Sequence, residues 1–174
     1  MGQVKMKYCW SYKTPELFDD LVMCGDEDRL AGLWFRGSRD DRRSAVEKCM
    51  RRETPAFRET CRWLDEYFAG RDPGFMPDYC IEGLTPFRRD VVDALLGISF
   101  GATVSYGEIA KAISKRRGRN VSARAVGGAV GWNPICIMIP CHRVIGADGR
   151  LTGYGGGLGN KVSLLSHEGA SFQA

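Results

Sequence analysis

Hydrophobic positions change period along this chain, and the changes divide it into elements. Residues 4–12 mix aromatic and charged side chains and read as a strand, closed by the turn signal of Thr14 and Pro15. Apolar segments at residues 17–23 and 30–35 flank Gly25, Asp26, Glu27 and Asp28, the pattern of a hairpin with a polar loop. Residues 37–53 are dense in charge and belong mostly at the surface. A helix starts at Thr54 with Pro55 in its first turn, and Phe57, Cys61, Leu64 and Phe68 give its inward stripe before Gly70 stops it. Pro73, Gly74 and Pro77 then mark a connector, which puts a domain boundary near residue 83.

The second half is more regular. Thr85 and Pro86 repeat the cap-and-proline start, with Phe87, Val91, Ala94, Leu95 and Ile98 as the apolar face and Gly101 as the end. Ser105 and Glu108 have capping-box spacing ahead of Ile109, Ala110 and Ile113, so a short helix opens at about Tyr106. A basic turn over residues 115–120 separates it from a third helix, capped by Ser122 and running from Ala123 through Val130. The product is a helix-turn-helix. Its second helix holds Gly127 and Gly128 side by side, each costing about 1 kcal/mol of propensity relative to alanine. Close approach of another backbone, the protein's own or a nucleic acid's, would favour them. Arg124 sits beside the positive end of that helix dipole, a poor place for an arginine unless an anion or a base stack receives it.

Residues 135–139, all apolar, read as a short strand buried on both faces. Pro140 closes it and delivers Cys141, His142 and Arg143 at its end. Neighbouring positive charge and a proton acceptor bias such a thiol toward thiolate. Sequence neighbours rarely face each other, so His142 would take the Cys141 proton through a water. On the Cys-His pair alone, a core cysteine is the simpler reading. Beyond it, the glycine-rich residues 153–159 lack the strand context of a dinucleotide site and read as a loop, and Asn160 caps a last helix with Val162, Leu164 and Leu165 inward.

With 174 residues and 44% hydrophobic content, the chain can build one large domain or two small ones with a real core. Seven cysteines without repeated CxxC spacing, and a start with no long apolar run, point to a reducing, cytoplasmic setting with no membrane segment. Charge is unevenly placed. Residues 1–83 carry 14 Lys and Arg against 16 Asp and Glu, whereas residues 84–174 carry 11 against 5. No acidic residue stands between Glu108 and Asp148, while Lys111, Lys115, Arg116, Arg117, Arg119, Arg124 and Arg143 do; a polyanion partner is the natural inference, and charge alone does not reject a solvated basic face that binds nothing.

Taken in order, SYGEIA from residue 105, RAVGGAV from 124, WNP from 132, IPCHRVIG from 139, TGYGGGL from 152 and LLSHEG from 164 resemble the O6-alkylguanine-DNA alkyltransferase family. WLDEYFAGRDP from 63 and GLTPF from 83 extend the resemblance to most of the chain; the first 50 residues carry little of it. The resemblance implies an α/β supporting domain over residues 1–83 and a mainly α domain over 84–174 with a winged helix-turn-helix. It implies repair of double-stranded DNA through the minor groove. O6-alkylguanine would be flipped out and its alkyl group moved irreversibly to Cys141; activity on O4-alkylthymine is left open. His142 is then the base acting through water, Glu168 the carboxylate orienting it, and Asn133 the hinge residue of the turn. Tyr106 helps rotate the nucleotide and donates to the departing base, and Lys161 lies near that base. Arg124 fills the vacated stack, with Ser122, Ala123, Gly127 and Lys115 on the DNA side. Backbone around Val144, with Tyr154, Gly155 and Gly156, lines the guanine pocket. No cofactor is implied, and the protein is expected to act as a monomer. Gly131 and Trp132 depart from the commoner residues before Asn-Pro, which bears on how the recognition helix meets DNA. Some members bind zinc through N-terminal Cys and His. Both histidines here, His142 and His167, lie in the second half, and the remaining cysteines lack paired spacing, so no metal is expected.

Two other functions compete. A DNA-binding relative that recognises the lesion without reacting would lack the acceptor cysteine. A Cys-His-Glu hydrolase would leave Tyr106, Arg124 and the glycine-rich helix without a role.

Overall fold

The computed structural model describes residues 8–40 and 49–173. The expected start of the first strand at Val4 and the middle of the charge-dense stretch, residues 41–48, lie outside these. Three strands and a short fourth open the chain: β1 (Tyr8–Tyr12), β2 (Leu21–Gly25), β3 (Leu30–Phe35) and β4 (Met50–Arg51), in the sheet order β3-β2-β1-β4. The hairpin is present, but its first arm is Leu21–Gly25, so that Gly25 belongs to the strand and Leu17 lies exposed outside it; Asp26 accepts from the backbone N–H groups of Asp28 and Arg29 to shape the loop. β2 is buried along its whole length, which is why its sequence LVMCG shows no alternation.

Helix α1 (Pro55–Phe68) is capped by Thr54, whose side chain accepts from Phe57 N at 3.3 Å. Its buried face is Ala56, Phe57, Thr60, Trp63, Leu64 and Tyr67, while Cys61 and Phe68 are only half-buried. The expected stripe is thus turned toward Tyr67. Residues 71–85 hold no helix or strand beyond a bridge from Tyr79 to Leu30.

The remaining elements are α2 (Pro86–Leu96), β5 (Val104–Ser105), α3 (Tyr106–Arg117), α4 (Ala123–Val130), β6 (Val144–Ile145) and α5 (Leu158–His167). Thr85 caps α2, the Ser105–Glu108 box caps α3 with both bonds made, and Ser122 caps α4. Gly118, at φ 64, ends α3 in the left-handed conformation that glycine adopts freely. The α3–turn–α4 unit, with the parallel β5–β6 ladder leading into α3, is the winged helix-turn-helix anticipated from sequence. α2 ends at Leu96, ahead of Gly101.

Two expectations are corrected. Residues 135–139 are buried, as their composition requires, but they are not a strand: only Ile135 bridges to Leu33. Met138 N donates to Cys136 O at 2.7 Å around Ile137, whose φ of 65 is unusual for a β-branched residue. Leu33 N to Pro134 O (2.9 Å) and Cys136 N to Leu33 O (3.0 Å) pin this coil to the free edge of β3. Asn160 does not cap α5, which Gly157 begins; its amide joins Asp19 and Gly156 O instead. In this way the first sheet positions the segment that leads to Cys141.

Candidate active site

Pro140 N-caps a single 3-10 turn, Cys141–Arg143, from which His142 and Arg143 both reach Glu168 while Cys141 borders the cavity. The Cys141 residue is 6% exposed and borders a small cavity of about 40 Å³ with Tyr106, Asn133, Tyr154, Gly155 and Gly156. One wall of that cavity is the second helix of the helix-turn-helix, through Gly127 and Val130. Asn133 organises the floor. Its Nδ2 donates to Ile135 O (3.1 Å), Ile139 O (2.8 Å) and Cys141 Sγ (3.1 Å), and its Oδ1 accepts from Ile135 N (3.1 Å).

His142 makes no hydrogen bond to the thiol. Its ring Nε2 lies 2.7 Å from Glu168 Oε1, and its Nδ1 is buried with no hydrogen-bond partner in the protein. Glu168 also accepts from Tyr67 Oη (2.7 Å), Arg143 Nε (2.8 Å), Arg143 Nη2 (3.0 Å) and Gly101 N (3.1 Å). Burial opposes ionisation of Glu168, yet the bonds from His142 and Arg143 outweigh it and hold the carboxyl far below its usual range. Burial likewise lowers the His142 pKa against the pull of Glu168, so the imidazole rests neutral at physiological pH.

The expected bias of Cys141 toward thiolate is not found in this resting state. Burial raises its pKa, and Arg143, which was to favour the anion, spends its guanidinium on Glu168 and on Ile98 O at 2.6 Å. The groups that do favour thiolate are Asn133, Lys161 and Tyr154. Lys161 is fully buried, donates to Val144 O at 2.7 Å, and has its pKa pulled down to about 8 by desolvation. Val144 therefore lies under the site with its carbonyl occupied and is not on the cavity wall, whereas Tyr154, Gly155 and Gly156 are. Tyr106 Oη meets Thr152 Oγ1 at 2.8 Å, and burial keeps it a neutral phenol.

On the outer side of α4 and the turn, Lys115, Ser122, Ala123 and Arg124 are exposed. The Ser122 hydroxyl is committed to its cap, accepting from Ala125 N at 3.1 Å. Arg124 has no ion pair or hydrogen bond among the described residues, nor do Lys111, Lys115 and Arg119. Arg116 and Arg117, by contrast, pair with Asp90, so they add little to the outward basic face. A Cβ on Gly127 would rest 3.7 Å from the Tyr106 ring, and one on Gly128 would meet nothing within 4 Å. The two adjacent glycines therefore differ: the first adjoins the cavity, and the second leaves a bare patch of helix. Trp132 turns toward the connector, where Arg88 stacks 3.8 Å above its ring.

Sequence reasoning missed Tyr67 and Asp40. A tyrosine on the buried face of α1 signals a hydroxyl in need of a partner, here Glu168. Nothing local marks Asp40, which reaches the cavity from the turn after β3. Among the described residues no group of side chains could hold a metal ion, and no helix is long and apolar enough to cross a membrane.

Residues 7–75 match the ribonuclease-like domain of 6-O-methylguanine DNA methyltransferase, and residues 86–170 match the DNA binding domain of the same family. A methylated-DNA–protein-cysteine methyltransferase of Methanosarcina acetivorans is 42% identical over 150 residues, covering 86% of this chain and 92% of that relative. One from Mycobacterium leprae is 50% identical over 116 residues, 67% of each chain. The crystal structure of Mycobacterium tuberculosis OGT in complex with DNA superimposes with a TM-score of 0.78 at 36% identity, covering 93% of this chain and 92% of that one. With both halves matched in order and full-length relatives at this identity, the chain belongs to the methylated-DNA–protein-cysteine methyltransferase family.

Proposed function

We propose that this protein repairs DNA by flipping O6-alkylguanine from the duplex and moving the alkyl group to Cys141 Sγ, with residues 84–174 binding DNA and residues 1–83 supporting the site. The observation that carries the reading is the shared wall: the cavity holding the Cys141 thiol is built in part from the recognition helix, so a base leaving the groove beside α4 arrives at the sulfur. Minor-groove docking, which reads little sequence, suits a search over any DNA.

The chemistry follows from the side chains. Cys141 loses its proton through a water to the neutral His142, whose Nδ1 has no protein partner, and Glu168 stabilises the imidazolium that results. The thiolate, supported by Asn133 and Lys161, attacks the alkyl carbon. An S–C bond forms and the C–O6 bond breaks, leaving its electron pair on the purine oxygen; the Tyr106 phenol supplies the proton that neutralises the departing guanine. Arg124 takes the place of the extruded base. Lys115, Ser122, Ala123 and Gly127 lie along the DNA side, and Tyr154, Gly155 and Gly156 line the base pocket. The missing Cys–His contact counts against a hydrolase, in which base and nucleophile must touch. No step calls for a cofactor, one copy supplies the whole site, and a reduced thiol acting on DNA suits a protein inside the cell.

The product is a thioether, which thiol exchange does not cleave. Incubation with a duplex carrying labelled O6-methylguanine should therefore yield at most one alkyl group per chain, all of it on the peptide that contains Cys141. Cys141→Ser should bind DNA and transfer nothing. Turnover beyond the molar amount of protein, or label on another cysteine, overturns the assignment.

A further inference from the structure

Asp40 is an acidic side chain of the supporting domain built into the acceptor cavity. It stands in the turn after β3 with its side chain 19% exposed, and it lines the same small space as Cys141, Asn133 and Tyr154. Its carboxylate lies so close to the backbone of Gly155 that a Cβ there would overlap it, so the two positions are fitted to each other. Arg39, on the same turn, lies 3.7 Å away and is itself 57% exposed. From the other elements, Lys161 acts on Cys141 from behind, and Arg143 is taken up by Glu168. The field of Asp40 reaches both Cys141 and Cys136 and opposes a negative charge on either.

The space itself is small. At about 40 Å³ it is the tightest part of the site, so a group bonded to Sγ shares it with the carboxylate. We propose that Asp40 is a specificity determinant of the acceptor pocket, admitting small neutral alkyl groups and disfavouring anionic ones. The inference rests on Cys141 being the acceptor. For a methyl group, transfer brings no new charge near Asp40. For a carboxymethyl group, the S–CH2 bond forms and the CH2–O6 bond breaks with a second carboxylate held in the same desolvated space, where two like charges repel far more strongly than in water.

The test compares single-turnover transfer from duplexes carrying O6-methylguanine and O6-carboxymethylguanine to the wild type, Asp40→Asn and Asp40→Ala. The ratio of methyl to carboxymethyl rates should fall by about tenfold in both variants, whatever common change the loss of Asp40 makes to both rates. An unchanged ratio overturns the proposal while leaving the acceptor assignment intact; absence of methyl transfer to Cys141 in the wild type overturns the acceptor assignment instead. Iodoacetate and iodoacetamide give a reading without DNA. The anionic reagent should gain on the neutral one at Cys141 when Asp40 is replaced, and equal acceleration of both would also refute the charge filter.

Discussion

Asn133 Nδ2 lies 3.1 Å from Cys141 Sγ, and the same amide ties the two ends of the coil that precedes the thiol, through Ile135 and Ile139. One side chain thus fixes the conformation of the coil and lowers the cost of a negative charge on sulfur. Asn133→Ala should destabilise the fold by about 3 kcal/mol, since it leaves buried backbone groups unpaired and frees the strained Ile137 turn. Urea unfolding measures this. The rate of thiol alkylation at fixed pH should fall as well, because burial then acts on Cys141 with less opposition. A variant of wild-type stability and reactivity would remove Asn133 from both roles.

Glu168 gives the fold a defined acid sensitivity. Its folded pKa is lowered from 4.5, so its contribution is complete above that value and is lost as pH falls through the folded value. His142, lowered from 6.5, pushes the same way, because the unfolded chain binds its proton first. Glu168→Gln should cost about 3–5 kcal/mol at pH 7 by leaving Arg143 buried without its counter-ion. The gap between variant and wild type should then narrow below pH 4.5, by up to about 1.4 kcal/mol per pH unit. Unfolding curves at pH 7, 5.5 and 4 test the sign; a gap that widens toward acid would contradict it.

The helix starts were legible because a cap is a local bond. Thr54, Thr85, Ser105 and Ser122 each accept from a backbone N–H three residues on, and sequence alone contains both partners. The stretch before Cys141 was not legible in the same way. A run of apolar residues specifies burial, and here the Asn133 amide, just ahead of the run, and the edge of β3, some hundred residues earlier, set the backbone. Asn160 failed as a cap for a related reason, since its amide is taken by Asp19, 141 residues earlier in the chain. Of the residues that carry motifs, Tyr106, Gly127, Asn133, Cys141, Tyr154, Gly155 and Gly156 border one cavity, whereas Val144 does not and Lys115, Ser122, Ala123 and Arg124 lie on the outer face. Tyr67 and Asp40 reach the site from the supporting domain and depend on how the two halves pack: a buried tyrosine signals that its hydroxyl needs a partner but not which one, and Asp40 leaves no trace in local pattern.

Gly128 and Gly127 should separate in their effects. Gly128→Ala places a methyl in open space on α4, so the helix should gain about 0.5–1 kcal/mol while affinity for duplex DNA falls, if that bare patch is where the backbone docks. Gly127→Ala puts its methyl against the Tyr106 ring beside the cavity, so it should lower transfer more than DNA affinity. Thermal melts and duplex titrations of both variants decide this. Undiminished binding by Gly128→Ala would show that the second glycine answers to something other than DNA.

Arg124 is the sharpest test of extrusion. It is exposed near the start of α4, has no partner among the described residues, and stands near the positive end of the helix dipole, so the folded protein gains nothing evident from it. Arg124→Ala should leave stability within about 0.5 kcal/mol of wild type. If the guanidinium only contacted phosphate, its loss would weaken binding to damaged and undamaged duplex alike and shorten the salt dependence by about one contact. A side chain that fills the vacated stack acts differently, because its contribution arises only once the base has left. The rate of transfer from O6-methylguanine in duplex should then fall by about tenfold or more while affinity for undamaged duplex changes little. Arg124→Lys keeps the charge and loses the planar stacking group, so it should resemble alanine in transfer and arginine in salt dependence. Equal losses in binding and transfer at two salt concentrations would reduce Arg124 to a charge contact and leave extrusion to Tyr106 and the shape of the groove.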